Sequence, residues 1–170
     1  MEMRVLGHTG LAVSCIGLGL ASLGRPAMEI TLDGLLLFET VQATWNLLES
    51  SVGPALSEAR AAGIGVIVKE ALANGRLTER NNEPGFEAKR ALLQKEAAKF
   101  DSSIDAIALA SCLAQPFADV VLSGATTVEQ MLSNLESCRL NLNEEATTRL
   151  SALTEPPEQY WATRTKLPWN

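Results

Sequence analysis

Four groups of residues have types and spacings that could do chemistry. Gly124-Ala125-Thr126-Thr127 follows an apolar run and precedes a helical pattern. Such a turn aims backbone N–H groups and the positive end of a helix dipole at one point, which suits a phosphate. The same residues equally make an ordinary strand-to-helix turn capped by Thr126 or Thr127. The groups that most often move protons are scarce: there is one histidine, His8, in the turn cluster Gly7-His8-Thr9-Gly10, and one tyrosine, Tyr160, near the other end of the chain. Arg76 follows Gly75 in a loop rich in Gly and Asn, where a guanidinium either meets a pyrophosphate or stands in solvent. Cys15, Cys112 and Cys138 form no CxxC pair and have no His-rich neighbourhood to complete a zinc site, so they read as reduced, mostly buried thiols.

The elements that must position these residues follow from hydrophobic period and punctuation. Met3 to Leu6 and Leu11 to Ser14, separated by Gly7–Gly10, read as a β-hairpin, and Cys15 to Leu20 as a strand. Gly24-Arg25-Pro26 breaks regular structure, and Met28 to Gly34 fits no element. From Leu35 an apolar strand runs to about Gln42, then a turn at Asn46 to Glu49, then a helix from Val52 to Ala62 that Gly63 ends. Ile64 to Val68 is β-branched and uninterrupted, as in a parallel strand covered on both faces. Beyond the polar loop Ala71–Gly85 the pattern predicts helices over Glu87–Lys99, Ser103–Ala114, Thr127–Ser137 and Asn143–Leu153, with a strand over Ala118–Leu122. The tail Pro156–Asn170 reads as irregular.

Alternating strands and helices of this kind make right-handed βαβ units on a parallel sheet, so the fold class is α/β. About four strands are available, whereas a closed (β/α)8 TIM barrel needs eight strands and roughly 250 residues. The chain has 170 residues, with 46% hydrophobic content, and reads as one domain. Fourteen basic against twenty acidic side chains, a net charge of −6 without long runs, exclude an electrostatic nucleic-acid binder. Gly17, Gly19 and Ser14 interrupt the apolar stretch Leu11–Leu23, which is therefore a hairpin and strand rather than a secretory leader. No apolar run reaches the roughly 18–20 residues of a membrane-spanning helix, so the expected setting is reducing, aqueous and cytoplasmic.

Four segments carry a resemblance to a known family. Arg4-Val5-Leu6-Gly7-His8-Thr9-Gly10-Leu11-Ala12-Val13-Ser14-Cys15-Ile16-Gly17-Leu18-Gly19 resembles the opening of aldo-keto reductases, where the hairpin closes the bottom of the barrel. Val41-Gln42-Ala43-Thr44-Trp45-Asn46-Leu47-Leu48-Glu49 resembles the sixth strand of that family with its Tyr/Trp-Asn-Leu turn. The run from Gly65 to Thr78 resembles the seventh strand and its loop, and the run from Val121 to Asn134 the eighth strand with the phosphate-binding helix behind it. The resemblance implies a partial (β/α)8 barrel: residues 1–27 hold the hairpin and first strand, 35–155 the sixth to eighth βα units, and 156–170 a C-terminal tail. The second to fifth strands have almost no counterpart between Ala27 and Leu35. A closed ring sets strand eight beside strand one, so strands six, seven, eight and one can still lie side by side, with two open edges.

The resemblance also implies a cofactor and a loss. In the family the region of Ser123, Gly124, Ala125, Thr126 and Thr127 holds the adenosine phosphates of NADP(H) or NAD(H), and positions corresponding to Gln130 and Asn134 approach the ribose phosphate and adenine. No Lys or Arg occurs between Ser123 and Asn134, which argues against a strong preference for a 2′-phosphate. Gln42 matches the glutamine that bonds the nicotinamide amide, the alternative being a polar strand end facing solvent. Lys69 stands where many members place an aromatic that stacks on the nicotinamide, and Leu72, Gly75 and Arg76 belong to the loop beside the pyrophosphate. The Asp, Tyr, Lys and His that perform catalysis belong to the absent strands; neither His8 nor Tyr160 matches a catalytic position. The expectation is a family member inactive in carbonyl reduction. The alternative is an interaction subunit, either a homo-oligomer or one docked on a partner chain that covers the sheet edges. Trp45, Trp161 and Trp169 are expected to pack the tail rather than line a substrate pocket.

Overall fold

A computed structural model describes residues 3–18, 31–32, 35–36 and 40–167. Strands β1 (Met3–Val5) and β2 (Ala12–Ser14) form the antiparallel hairpin, with Arg4 opposite Val13. Its turn bends through Gly7 at φ +52°, a left-handed position where a Cβ would lie 2.4 Å from the Gly65 nitrogen. The hairpin therefore seats where backbone meets backbone. The His8 amide donates to the Gly63 carbonyl at 2.9 Å, and Arg4 Nη1 donates to the Ala118 carbonyl at 2.6 Å.

Strands β3 (Ile16–Leu18), β6 (Thr40–Thr44), β7 (Gly65–Lys69) and β8 (Val120–Ser123) form one parallel sheet in the order β3-β8-β7-β6. Gly63 and Ala118 stand just before β7 and β8, so the hairpin covers the N-terminal ends of those strands, as expected for a barrel bottom. A second, two-stranded hairpin, β4 (Thr31–Leu32) with β5 (Leu35–Leu36), precedes β6. The sequence reading of one strand from Leu35 to Gln42 is thus corrected: Leu35–Leu36 pair backward with Thr31–Leu32, and the sheet strand begins at Thr40. Gly19 and Leu20, the break at Gly24–Pro26, most of the unassigned segment and Trp169 lie outside the described residues.

Helices α1 (Gly53–Ala61), α2 (Glu87–Lys99), α3 (Ile104–Leu113), α4 (Val128–Glu136) and α5 (Glu144–Ser151) follow close to their predicted bounds. The caps explain the agreement. Ser103, Thr127 and Asn143 each accept a hydrogen bond from the third residue onward, at Ala106, Gln130 and Ala146. Gly63 adopts φ +85° after α1, the left-handed stop its position suggested. The tail is a correction. Residues Pro157–Arg164 form a sixth helix, α6, opened by a proline whose fixed φ and missing donor suit the first helical turn.

Two apolar clusters share α3, which is why that helix is buried from Ile104 to Cys112 except at Asp105. One joins Val66, Val68 and Val121 of the sheet to Leu56 of α1 and Leu109 and Cys112 of α3, closed by Trp45 edge-on to Phe117 at 6.0 Å. The other packs α2, α3, α5 and α6 through Leu93, Ile107, Leu150 and Tyr160. Strand alternation sends Gln42, Thr44, Ile67, Lys69, Val120 and Leu122 to the opposite face of the sheet. Among the described residues, no helix is long and apolar enough to cross a membrane.

Candidate functional site

The turn between β8 and α4 is exposed and largely occupied by its own side chains. Gly124, Thr126 and Thr127 face solvent, and Ala125 is half-buried. Ser123 is fully buried; its hydroxyl receives Asn134 Nδ2 at 2.8 Å and the Ala125 amide at 3.3 Å. Gln130 Oε1 accepts from the Thr126 amide at 2.8 Å and from the Thr126 hydroxyl at 3.1 Å. Thr127 caps α4 by accepting from the Gln130 amide at 3.2 Å. Of the two capping candidates the structure selects Thr127. The Glu129 carboxyl is held below the usual carboxylate range by its own backbone N–H and by the Thr127 hydroxyl, so a negative charge already rests on this helix end. A phosphate arriving here meets three amides in use and an acidic neighbour.

The remaining expected residues are distributed along β6, β7 and the loop after β7. Gln42 is half-buried and is the middle residue of β6, level with Ile67, so it does not end its strand. Lys69, also half-buried, ends β7 and pairs in register with Thr44. Leu72 packs against both apolar clusters. The chain then winds through left-handed conformations at Glu70 (φ 56°), Ala73 (φ 49°), Asn74 (φ 54°) and Gly75 (φ 90°). Three of these are not glycine, and such clustered strain persists only where surrounding contacts fix it.

Those contacts come from Asn46, Glu83, Glu155 and the tail. Arg76 is buried, 6% exposed, and is neither solvated nor open to a ligand from outside: Nη1 and Nη2 donate to Glu155 at 2.9 Å each, and Nε donates to Glu83 at 3.0 Å. Its guanidinium also lies over the Phe86 ring at 5.6 Å and the Tyr160 ring at 6.0 Å. Both readings offered by the sequence, a pyrophosphate contact and a solvated charge, give way to a buried ion pair. Burial would raise the Glu155 carboxyl, but hydrogen bonds from Arg76 and Lys89 more than offset it and hold the group below the ordinary range. Nearby, Asn46 Nδ2 donates to the Glu70 carbonyl and to Tyr160 Oη, both at 3.0 Å, while Arg164 Nη2 meets Glu70 Oε1 at 2.7 Å. Tyr160 is wholly buried, and burial pushes its hydroxyl above the ordinary tyrosine value. The sequence reading missed this cluster of Asn46, Glu70, Glu155, Tyr160 and Arg164. Its one available signal was Pro156-Pro157, a helix start.

At the other end of the sheet, His8 stands in the bottom hairpin with its ring against Gly63. A groove there is lined by Arg4, Arg60, Pro116 and Asp119. Its charges serve the fold: Asp119 accepts from the Val66 amide at 2.9 Å and pairs with Arg60 at 2.9 Å.

The model of the "Aldo/keto reductase family" matches residues 9–155. The chain belongs to that family. No relative among curated proteins matches it. Among solved structures it is similar to an aldo-keto reductase from Bacillus halodurans in its apo form, at 20% identity and TM-score 0.57, over 69% of this chain and 44% of that one. It is similar to a thermostable aldo-keto reductase in complex with the inhibitor epalrestat, at 25% identity and TM-score 0.56, over 67% and 39%. A putative 2,5-diketo-D-gluconic acid reductase B matches at 23% identity and TM-score 0.55, over 69% and 38%. This aldo-keto reductase family chain thus spans less than half the length of the solved relatives it matches. Its parallel sheet holds, among the described residues, four strands in the order β3-β8-β7-β6.

Proposed function

We propose that this family member does not reduce carbonyls and retains, at the β8–α4 turn, the end of a dinucleotide site that takes the adenosine phosphates of NADP(H) or NAD(H). The fate of the proton-moving residues carries the first half. A general acid must lie about 3 Å from the oxygen it protonates. The only tyrosine of the chain is buried on the inner side of α6 against Asn46 and Glu70, and the only histidine lies at the bottom hairpin, away from the strand ends where barrel chemistry occurs. The second half is supported by the exposed Gly124, Thr126 and Thr127 at the opening of α4, within the segment that matches the family model. Gln130 and Asn134, engaged with Thr126 and Ser123, act in this reading as supports of the turn. Arg76 and Leu72 hold the loop after β7, while Gln42 and Lys69 border the nicotinamide end. The absence of Lys and Arg from Ser123 to Asn134, together with Glu129, favours a cofactor without a 2′-phosphate.

Titrating reduced cofactor while following nicotinamide fluorescence tests binding; a saturable change is expected with NADH at lower concentration than with NADPH. No saturable change at high micromolar cofactor counts against the site. Robust NADPH-dependent aldehyde reduction by the purified chain overturns the non-catalytic half.

A second reading rests on the edge strands β3 and β6, whose outer backbone groups offer pairing to another chain, a second copy or a different partner. Light scattering decides it, since a stable monomer at low concentration removes obligatory pairing. Cys112 and Cys138 are free thiols, in keeping with a reducing cytoplasmic setting.

A further inference from the structure

We infer that one flank of α4, formed by Val128, Met131, Leu132 and Leu135, is the contact surface for a second copy of this chain, with the two α4 helices packed antiparallel about Leu132. The inference goes beyond the edge-pairing reading, since it uses side chains of a helix and not the backbone of β3 or β6.

Two hydrogen bonds fix how α4 sits. Asn134 Nδ2 donates to the Ser123 hydroxyl of β8 at 2.8 Å, so that side of the helix faces the sheet. The Ser133 hydroxyl donates to Asp105 Oδ2 of α3 at 2.8 Å, so the adjoining side faces α3. With about 100° between successive residues, Met131, Leu135, Val128 and Leu132 fall together on the flank turned away from α3. Beneath that flank lies the edge of the sheet, because β3 follows β8 there and no strand follows β3 among the described residues. Val128 is 71% exposed and Leu132 60%, while Met131 and Leu135 are half-buried. Positions 128, 131 and 135, with 132 beside them, have the spacing by which one helix seats against another, and a solvated flank would carry polar residues at them.

The flank complements itself. In an antiparallel pair centred on Leu132, Val128 of each copy meets Leu135 of the other, and Leu132 meets its own counterpart. Arg139, just past the end of α4, then comes over the first turn of the other α4, which carries the exposed Glu129. Arg139 is itself exposed and uses Nη1 to meet both carboxylate oxygens of Glu136, at 3.0 and 3.1 Å. It would lie between Glu136 of its own copy and Glu129 of the other. A parallel pair would instead set Glu129 against Glu129 and Arg139 against Arg139, so charge selects the antiparallel arrangement. Size sets the strength. The nine residues of α4 span about 14 Å, and a helix pair of that length covers less than the roughly 1,200–2,000 Å² of a standard interface. The dimer is therefore dissociable and fills at roughly 100 μM and above.

Sedimentation velocity of the full chain from about 5 to 500 μM tests the inference, with the mean mass expected to climb toward twice that of the monomer. Leu132→Glu sets two like charges at the centre of the pair and should weaken association about tenfold or more, with an unchanged circular dichroism spectrum. Met3→Glu, at a comparably exposed position of the hairpin, should leave association as it was. Arg139→Glu should weaken it several-fold, and Glu129→Arg combined with Arg139→Glu should recover most of the loss. A wild-type chain that stays monomeric throughout overturns the proposal and leaves the flank to a different partner. A dimer that survives Leu132→Glu overturns it in favour of the sheet edges. Independently, Leu132→Cys in a Cys138→Ser background should oxidise to a dimer linked through position 132, identified by peptide mass, whereas Leu11→Cys in the same background should not. Equal linkage of the two variants also overturns the proposal.

Discussion

The Arg76 cluster and the β8–α4 turn both gather polar residues beyond the ends of parallel strands, and they are built on opposite terms. Around Arg76 the charges are buried and matched, guanidinium to carboxylates, with two aromatic rings nearby. At the turn the groups are exposed, mostly neutral, and bonded to residues a few positions away. The arginine in a glycine loop is the more suggestive ligand group on paper, yet every one of its nitrogens already has an acceptor. A motif becomes a binding site through donors left over after the fold is satisfied, and by that measure the turn, with its solvent-facing Gly124 and Thr127, is the better candidate.

The sharpest way to break this contrast is to remove Tyr160, on which the tail helix and the Arg76 cluster both rest. Tyr160→Ala should cost about 3–5 kcal/mol of unfolding free energy in urea titration, as for a large aromatic lost from a core. Tyr160→Phe should cost about 1 kcal/mol, the share of the Asn46 hydrogen bond. Glu155→Ala leaves Arg76 buried with only Glu83 and should cost about 3 kcal/mol; an effect near zero would mean that the ion pair is a surface feature.

Acid should act on the same side of the contrast. Glu155 and Glu96 have carboxyls depressed below the ordinary value near 4.5: Glu155 by Arg76 and Lys89 against an opposing burial effect, and Glu96 chiefly by Arg149, with Lys99 adding to it. A depressed pKa contributes stability that is complete above the ordinary value and is lost as pH falls through the folded one. Tm should therefore hold steady above about pH 5 and fall steadily below it, and Glu155→Gln should flatten that fall. The smallest effect belongs to the turn. Thr127→Ala removes the cap of α4 and should cost about 1 kcal/mol. A loss as large as that of Glu155→Ala would show the turn to be a structural keystone.

Much of this architecture was legible because its signals are local. Ser103, Thr127 and Asn143 announce three helices within three residues of their partners, and Gly63 announces a stop. The order of the four sheet strands was legible for a different reason, since ring closure makes the first strand a neighbour of the eighth. What escaped depended on partners remote in sequence. Arg76 and Glu155 are 79 positions apart, and Asn46 and Tyr160 are 114 apart, so neither pairing leaves a trace in spacing. The tail helix escaped because a segment opening on Pro156-Pro157 shows no clear helical period, although a proline is as much at home in the first turn of a helix as in a loop. Leu35–Leu36 escaped because two apolar residues continue an apolar strand as naturally as they close a short hairpin.

The anchoring of Arg4 on the Ala118 carbonyl, across 114 positions, bears on the order in which the molecule assembles. Bringing such distant segments together carries a loop-closure entropy that nearby contacts avoid. The unit from β6 to α5 can condense through short-range contacts first, and the N-terminal arm then joins a surface already formed. In refolding followed by pulsed hydrogen exchange, the Val121 amide, bonded to the Cys15 carbonyl, should gain protection after the amide of Val66, which the nearer Asp119 holds. The segment that carries Arg4 and Cys15 is, on this account, the last to find its place.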